Sequence, residues 1–232
     1  MQDLCITIKF IKVKANNLTK IYVETDEFTY AELKNLCPKN DFKKVDDEMQ
    51  RIVVATKIAD EFDLQTEQAL MFEKMAEIIG KSNLERAYKY GIWLLSKRDY
   101  SAKGLQDKIG ENYGGEAAEF AAEKILNQNF IDDENYAKRL AEQLIDFKKL
   151  SIRETLRQMQ SKGIDLYKSQ AVLEEMNVDD TAQIERLVKA KYSKLLQDAE
   201  GIKKLRKILY SKGFQSQNIS EFVEKLGEFD EY

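Results

Sequence analysis

A short motif recurs about every fifty residues through the C-terminal two thirds of the chain, and it constrains the fold more than any other feature. Each copy ends a polar, helix-forming segment with a turn-competent residue and a large apolar one: Asn112-Tyr113, Lys162-Gly163-Ile164 and Lys212-Gly213-Phe214. Apolar positions elsewhere keep the same register: Leu94/Ile145/Leu195, Ala121/Val172/Phe222, Ala122/Leu173/Val223 and Ile125/Met176/Leu226. Three copies in phase predict an array of like modules that works through an extended surface.

Helix-capping residues divide each module into shorter helices. Beyond residue 81 there is no proline, and residues that favour helix N-caps precede helical patterns: Ser101, Asp132, Ser151, Asp179, Asp180 and Ser216. Each module therefore reads as three helices, over 83–98, 101–112 and 115–128, then 133–148, 152–162 and 167–176, then 180–197, 200–212 and 217–226. We expect Gly163 and Gly213 to be left-handed C-caps, with Asn112 in the same role in the first module.

The N-terminal part reads as a small domain that contains strands. Residues 4–14 alternate in polarity with a bulge expected at 11–13, Asn16-Asn17 suits a tight turn, and 20–25 suits the hairpin partner. Thr29 with Glu32 resembles a capping box for a helix that Pro38 closes. The segment 51–56 fits a strand or one face of a helix, and its β-branched run favours the strand. A helix is expected over 66–79.

Gly80-Lys81 is predicted to end that helix, and Ser82 to Glu85 forms a capping box that would begin the array. The predicted fold is mainly α, with three three-helix repeats in tandem forming an elongated curved domain after a small α/β N-terminal domain with a β-hairpin. The predicted domains are residues 1–81, repeat 1 over 82–131, repeat 2 over 132–178, and repeat 3 with a short acidic tail over 179–232.

Composition excludes several classes of site. The chain has no histidine and two cysteines, Cys5 and Cys37, so a Cys/His zinc site or a nucleophile paired with histidine cannot be assembled within it. It also lacks a phosphate loop of the GxxxxGK[ST] form. We therefore predict no catalytic, cofactor-binding or metal-binding residue and a non-enzymatic protein.

The cysteines could pair, but neither a secretory signal nor a long apolar run is evident, so we expect a cytoplasmic, membrane-free protein with both thiols reduced and buried. The net charge of −4 excludes a simple polycation. No heptad or exposed apolar stripe demands a dimer, so a monomer is expected.

Two further stretches carry a family resemblance. Residues 94–101, from Leu94 to Ser101, precede Leu105 and Lys108-Ile109, and residues 130–137 place Asp132-Asp133 ahead of Tyr136-Ala137. Together with the Lys-Gly-apolar endings and Ile152-Arg153 before Leu156, they resemble the RecX family, regulators of the RecA recombinase. The resemblance covers residues 84–226, with departures at Leu150 and Gly104. It implies binding to RecA filaments on single-stranded DNA and inhibition of strand exchange and ATP hydrolysis.

Basic residues cluster in the array despite its near-neutral charge. Each cluster fits a solvated helix face, and the alternative is a partner-binding surface for acidic RecA or for weak direct contact with DNA. The candidate partner-binding residues are Lys97, Arg98, Lys148, Lys149, Arg153, Arg157, Lys203, Lys204 and Lys207. A DNA-binding regulator with helix-turn-helix-like repeats is the rival reading.

Two conspicuous features have plainer explanations than binding. The Asp132-Asp133 pair could bind a metal, but we favour a helix cap because no third ligand group converges on it in the sequence. Trp93 lies beside Leu94 and Leu95, so a core position is favoured over a base-stacking platform.

Overall fold

The computed structural model describes residues 5–14, 16–38 and 40–229, and they form a mainly helical protein with one small antiparallel sheet. The strands are β1 (Cys5–Val13), β2 (Leu18–Glu24), β3 (Phe42–Lys44), β4 (Met49–Ala55) and β5 (Ala69–Met71). The α-helices are α1 (Glu27–Leu36), α2 (Thr56–Glu61), α3 (Phe72–Leu95), α4 (Ala102–Tyr113), α5 (Gly115–Asn127), α6 (Asp133–Glu142), α7 (Ile152–Ser161), α8 (Leu166–Glu175), α9 (Asp180–Leu187), α10 (Ala199–Ser211) and α11 (Ser216–Phe229). The chain forms two compact units, Met1–Phe130 and Ile131–Tyr232.

The sheet of the first unit has the strand order β3-β4-β2-β1-β5, and all its pairings are antiparallel. One face of it is largely apolar and mostly buried, and it packs against α1, α2 and α3 through side chains such as Leu33, Ile58, Met75 and Ile78. The predicted hairpin is confirmed, and Asn17 takes a positive φ of 59° at its turn. The ambiguous segment 51–56 is mostly strand, as favoured.

Three local predictions in this region were wrong in position. The bulge lies between Ile8 and Phe10, earlier than expected. The N-cap of α1 is Asp26, whose carboxylate accepts a hydrogen bond of 2.7 Å from the Thr29 amide, so Thr29 does not cap the helix. Residues 69–71 form β5 before the helix begins, because pairing with β1 outweighs their helical pattern.

Helix α3 runs unbroken from Phe72 to Leu95 through Gly80-Lys81, where a stop was predicted. The supposed capping residue Ser82 lies inside the helix, fully buried, and its hydroxyl accepts a 2.8 Å hydrogen bond from the Ala55 amide of β4. Arg86, one turn further on, pairs with Asp41 through Nη1 and Nη2 of its guanidinium group and also donates to the Val53 carbonyl. These tertiary bonds explain why a local capping signal does not end the helix.

Four of the six N-caps predicted for the array are confirmed, whereas Asp180 and Ser216 are the first helical residues of α9 and α11 and do not cap them. The side chains of Ser101, Asp132, Ser151 and Asp179 each accept a hydrogen bond from the backbone amide three residues later. Such bonds satisfy amides that have no partner within the helix.

The left-handed C-caps are confirmed at Gly163, with φ 82°, and Gly213, with φ 87°. Asn112 does not have this role, because it lies inside α4 and Gly114 ends that helix with φ 82°. Glycine takes this conformation without the steric conflict that a Cβ brings.

The predicted helices over 133–148 and 180–197 are not α-helical throughout. Residues 143–147 and 188–192 form π-helical turns, and 193–196 form a 3₁₀ segment. Ile145 is buried in the first π turn, whereas Leu195 is half-buried in the 3₁₀ segment, so this pair of repeat positions is not equivalent in structure. The three downstream pairings fall in α5, α8 and α11 as predicted, except that Met176 lies just after α8 as its C-cap residue.

Cys5 and Trp93 were wrongly predicted to be buried. Cys5 is exposed and Cys37 is half-buried; both are free thiols, and burial raises the pKa of Cys37 to about 12. Trp93 is 53% exposed and stacks on Tyr90, because Leu94 takes the inward position of that turn and adjacent helical residues do not share a face.

The N-terminus of α7 is held by residues far along the chain within the second unit. The Ser151 amide donates to the Lys212 carbonyl (3.2 Å), and the Ile152 amide donates to the Asp180 carboxylate (2.8 Å). The Lys212 ammonium in turn donates to the Lys148 carbonyl (2.7 Å). The end of α10 and the start of α9 are thereby fixed against the start of α7.

Asp41→Asn should destabilise the protein by about 3–5 kcal/mol, because it leaves the Arg86 guanidinium in a site where that side chain is only 12% exposed. Asp47→Asn is the control, since Asp47 pairs with Lys44 at the surface and solvent screening should make its loss nearly neutral for stability. Urea unfolding followed by circular dichroism measures both, and equal effects would contradict the structural role of the Asp41–Arg86 pair.

Gly213→Ala should cost more stability than Gly114→Ala. Both residues have left-handed φ, which costs an L-residue about 1–2 kcal/mol. A Cβ at Gly114 meets nothing within 4 Å, whereas one at Gly213 would lie 2.6 Å from Glu154 Cβ and 2.7 Å from Ser151 Oγ. We expect about 1–3 kcal/mol of extra destabilisation from that overpacking. Chemical denaturation of the two variants measures the two losses of stability. Equal losses would show that the α7–α10 contact is loosely packed at Gly213.

Candidate partner-binding groove between α7 and α10

An open groove of about 720 Å³ lies in the second unit between α7, the start of α8 and the end of α10. Arg153, Arg157 and Gln160 line one wall, and their spacing places them on one face of α7. Tyr210 and Gln215 line the opposite side. The groove therefore depends on the α7–α10 junction described above.

Helix α10 repeats the spacing of the α7 wall. Lys203, Lys207 and Tyr210 follow at the same intervals as Arg153, Arg157 and Gln160, so they share one helix face. All three are exposed, and Tyr210 reaches the groove. Lys203 and Lys207 therefore form a row of positive charge along α10 that leads to Tyr210 at the groove.

Glu154 orients one of the two arginines. Its carboxylate accepts bonds from Arg157 Nε (2.8 Å) and Nη2 (2.6 Å), and it also accepts from Gln158. The Arg157 hydrogen bonds, more than any other cause, hold the pKa of Glu154 at about 2. The folded-state pKa is below the ordinary value of 4.5, so this pair contributes its stability above that value and loses it as pH falls toward 2. Arg157 is 70% exposed, so solvent screening keeps the contribution of this pair to stability small.

Asp180 forms a polar part of the groove. It is buried, and this burial raises the pKa of its carboxyl group, while the hydrogen bond from the Ile152 amide opposes that shift. Its carboxylate already has a backbone partner. The role of Asp180 is therefore to hold the N-terminus of α7. The exposed charges of the groove are those of Arg153 and Arg157.

Apolar side chains complete the lining. Leu166 is 45% exposed and Tyr210 is 49% exposed, whereas Phe214 is buried beneath them. A groove with exposed apolar groups and a basic wall suits a partner segment that carries apolar and acidic residues.

The structure separates the predicted binding residues into groups. Arg153 and Arg157 line the groove, and Lys203, Lys204 and Lys207 are exposed on α10. Lys148 is exposed and Lys149 is half-buried with φ 54°, both just after the first π turn. Lys97 and Arg98 are exposed after α3, in the other compact unit.

Sequence reasoning missed Gln160, Leu166 and Tyr210. The signal for Gln160 and Tyr210 was available, since they complete the helical spacing that begins at Arg153 and Lys203. Leu166 lies at the first position of α8, and only tertiary packing brings it to the groove.

The Asp132-Asp133 pair lies at a helix cap, as favoured over a metal site. Asp132 caps α6, and the Asn135 amide hydrogen bond is the main cause that lowers the pKa of its carboxyl group. Within the described ranges, no group of three or more metal-ligating side chains is placed to hold an ion. No helix in that same part of the chain is long and apolar enough to span a bilayer.

Sequence comparison finds four curated relatives, and each is described as a regulatory protein RecX. No family model matches the chain. It is 24% identical over 183 residues to the regulatory protein RecX of Oceanobacillus iheyensis, covering 76% of this chain and 64% of that protein. It is 23% identical over 152 residues to the regulatory protein RecX of Trichlorobacter lovleyi, covering 63% and 99% of the two chains. The chain thus spans just under two thirds of the first relative and nearly all of the second.

Solved structures agree on the fold. A crystal structure of a regulatory protein RecX superposes with a TM-score of 0.55 at 18% identity, covering 95% of this chain and 99% of the other. The crystal structure of RecX from Lactobacillus salivarius gives a TM-score of 0.51 at 18% identity, covering 62% and 97%. The sequence motifs, the curated relatives and the shared fold all point to the RecX family, which the chain resembles in sequence and in fold.

Proposed function

We propose that this chain is a non-enzymatic regulator that binds RecA nucleoprotein filaments on single-stranded DNA and inhibits their recombinase and ATPase activities. The observation that carries the proposal is the agreement of its relatives, all of which are described as regulatory proteins. The proposal places the protein in DNA repair by homologous recombination and in the SOS response, as a cytoplasmic monomer.

The groove between α7 and α10 is the proposed contact surface. Arg153, Lys203 and Lys207 present exposed positive charge, and Tyr210 and Leu166 present exposed apolar area beside it. Such a combination supports docking on an acidic protein surface, because exposed cations steer the encounter and apolar groups slow dissociation. Lys97, Arg98, Lys148, Lys149 and Lys204 are proposed as outlying contacts.

The finer domain organisation is part of the same proposal. Helices α4 and α5 with the end of α3, then α6 to α8, then α9 to α11 are proposed as three repeats over 82–131, 132–178 and 179–232. The first helix of the second and third repeats begins at a side-chain cap, Asp132 or Asp179, and each of the three repeats has a third helix whose inward positions recur in register. A modular array supports a role in which several modules contact neighbouring subunits of one filament.

Addition of the protein at near-equimolar ratio to RecA on single-stranded DNA should inhibit ATP hydrolysis and strand exchange. Steady-state ATPase and joint-molecule assays, with the protein titrated from substoichiometric to equimolar amounts, test this, with heat-denatured protein as the control. Full RecA activity at equimolar protein would overturn the proposal. Binding to duplex DNA without RecA, with steep salt dependence, would instead favour a DNA-binding regulator.

Arg153→Gln combined with Lys203→Gln and Lys207→Gln should weaken filament inhibition at least about tenfold, since three steering charges are removed from one surface. Arg157 is kept because Glu154 would otherwise lose its partner. The matched control replaces Lys189, Lys194 and Lys225 with Gln, because these are exposed in the same unit but lie neither in the groove lining nor on α10. Inhibition curves for the two triple variants should diverge while their thermal melts coincide; superimposable curves would remove the groove from the proposal.

A further inference from the structure

The small sheet has a second face that its helices do not use for the apolar core. Strand pairing places Lys43, Arg51, Tyr22 and Phe10 in one row across β3, β4, β2 and β1. Lys20 and Lys12 face each other in the next row, toward the hairpin turn. We call this surface the outer sheet face; it consists of Phe10, Lys12, Lys20, Tyr22, Lys43 and Arg51.

The outer sheet face carries a stacked aromatic pair at its centre. The rings of Phe10 and Tyr22 lie 4.0 Å apart between centroids, at 18° to each other, and Phe10 is 43% exposed. Exposing aromatic area in the middle of a sheet leaves hydrophobic free energy unused. A flat, accessible ring of this kind is suited to stacking against a planar ligand group.

Cations surround that aromatic pair. Lys12 lies directly opposite Lys20, a pairing of like charges that destabilises a sheet. Lys14 is the main cause that lowers the pKa of Lys20, followed by burial and by the charges of Arg51 and Lys12. The cost of bringing these charges together would be recovered when an anion binds between them.

The remaining polar groups of this face fit the same interpretation. The carboxylate of Glu24, on the same side of β2, is already paired with Lys9 at 2.8 Å. Arg51 Nε is buried and has no hydrogen-bond partner among the described residues, and Arg51 Nη2 makes only a long 3.5 Å bond to the Asn40 carbonyl. A buried donor without a partner is costly, so a ligand that accepts from Arg51 gains by binding.

We propose that the outer sheet face binds single-stranded DNA, with bases stacked on Phe10 and Tyr22 and phosphates paired with Lys12, Lys20, Lys43 and Arg51. An accessible ring pair with cations around it suits unpaired bases joined by phosphates, and antiparallel sheets with exposed rings bind single strands in this way. An acidic protein would use the cations but offers no regular series of planar groups for the rings. The choice of DNA over RNA rests on the proposed function, which brings the chain to filaments on single-stranded DNA.

The test is fluorescence anisotropy of a labelled oligodeoxythymidine of about 15 nucleotides, with the full chain and no RecA. Lys12→Gln combined with Lys20→Gln and Lys43→Gln should weaken binding and flatten the log–log salt slope by about 2, since each single-strand phosphate contact contributes about 0.7. The matched control replaces Lys34, Lys57 and Lys103, which are exposed in the same unit on α1, α2 and α4. It should leave affinity and slope unchanged.

Phe10→Leu separates stacking from charge, because it keeps an apolar side chain and removes the ring. We expect about tenfold weaker binding with an unchanged thermal melt. No binding at low salt, equal effects of the two lysine triples, or full affinity of Phe10→Leu would overturn the proposal. Tighter binding of oligouridine would reassign the face to RNA, and binding of polyglutamate in place of the oligonucleotide would reassign it to an acidic protein. Because RecA is absent, failure here leaves the ATPase inhibition test of the regulator unaffected.

Discussion

The hydrogen bonds that hold the N-terminus of α7 determine most of what the second unit can do. A helix begins with amides that lack partners within the helix, and here two of the acceptors come from the end of α10 and the start of α9. Gly213 makes this possible, because a side chain there would overlap Glu154 and Ser151. Bringing α10 so close places Tyr210 opposite Arg153 and Arg157, and the groove results from that approach.

The first unit is organised by a comparable long-range constraint. Ser82 and Arg86 on α3 provide hydrogen-bond partners for the end of β4 that extends beyond β3, and Arg86 neutralises the buried Asp41. The sheet and α3 therefore belong to one compact unit, and the helix is too firmly held to end at Gly80. The helices cover one face of the sheet with apolar side chains. The opposite face is therefore free to carry residues that are not needed for the core.

Much of the helical part could be predicted from the sequence because its signals are local. Asp132 and Ser151 cap their helices through amides three residues away, and Gly163 and Gly213 need no more than their missing Cβ to end a helix. Prediction failed where tertiary contacts compete with local preference. Ser82 looks like a cap but bonds to β4, Trp93 looks apolar but shares a turn with an inward Leu94, and residues 69–71 follow a helical pattern but pair with β1.

The candidate sites show the same division. The arginines and lysines of α7 and α10 could be chosen from their clustering, but their meeting with Leu166 and Tyr210 depends on how two helices distant in sequence pack. The outer sheet face could not be predicted at all, because a bulge between Ile8 and Phe10 decides which β1 side chains join the row of Tyr22 and Arg51. A shift of one residue there would exchange the two faces of the strand.

The central claim is that the α7–α10 groove contacts RecA within an active filament. A photoreactive benzoylphenylalanine in place of Tyr210, which is 49% exposed, tests that contact directly, with the same group at the exposed Lys189 as the control. Irradiation with RecA filaments on single-stranded DNA should yield a cross-link to RecA from position 210 and little from position 189. Absence of a cross-link from position 210, with the variant still inhibiting ATP hydrolysis, would contradict the account.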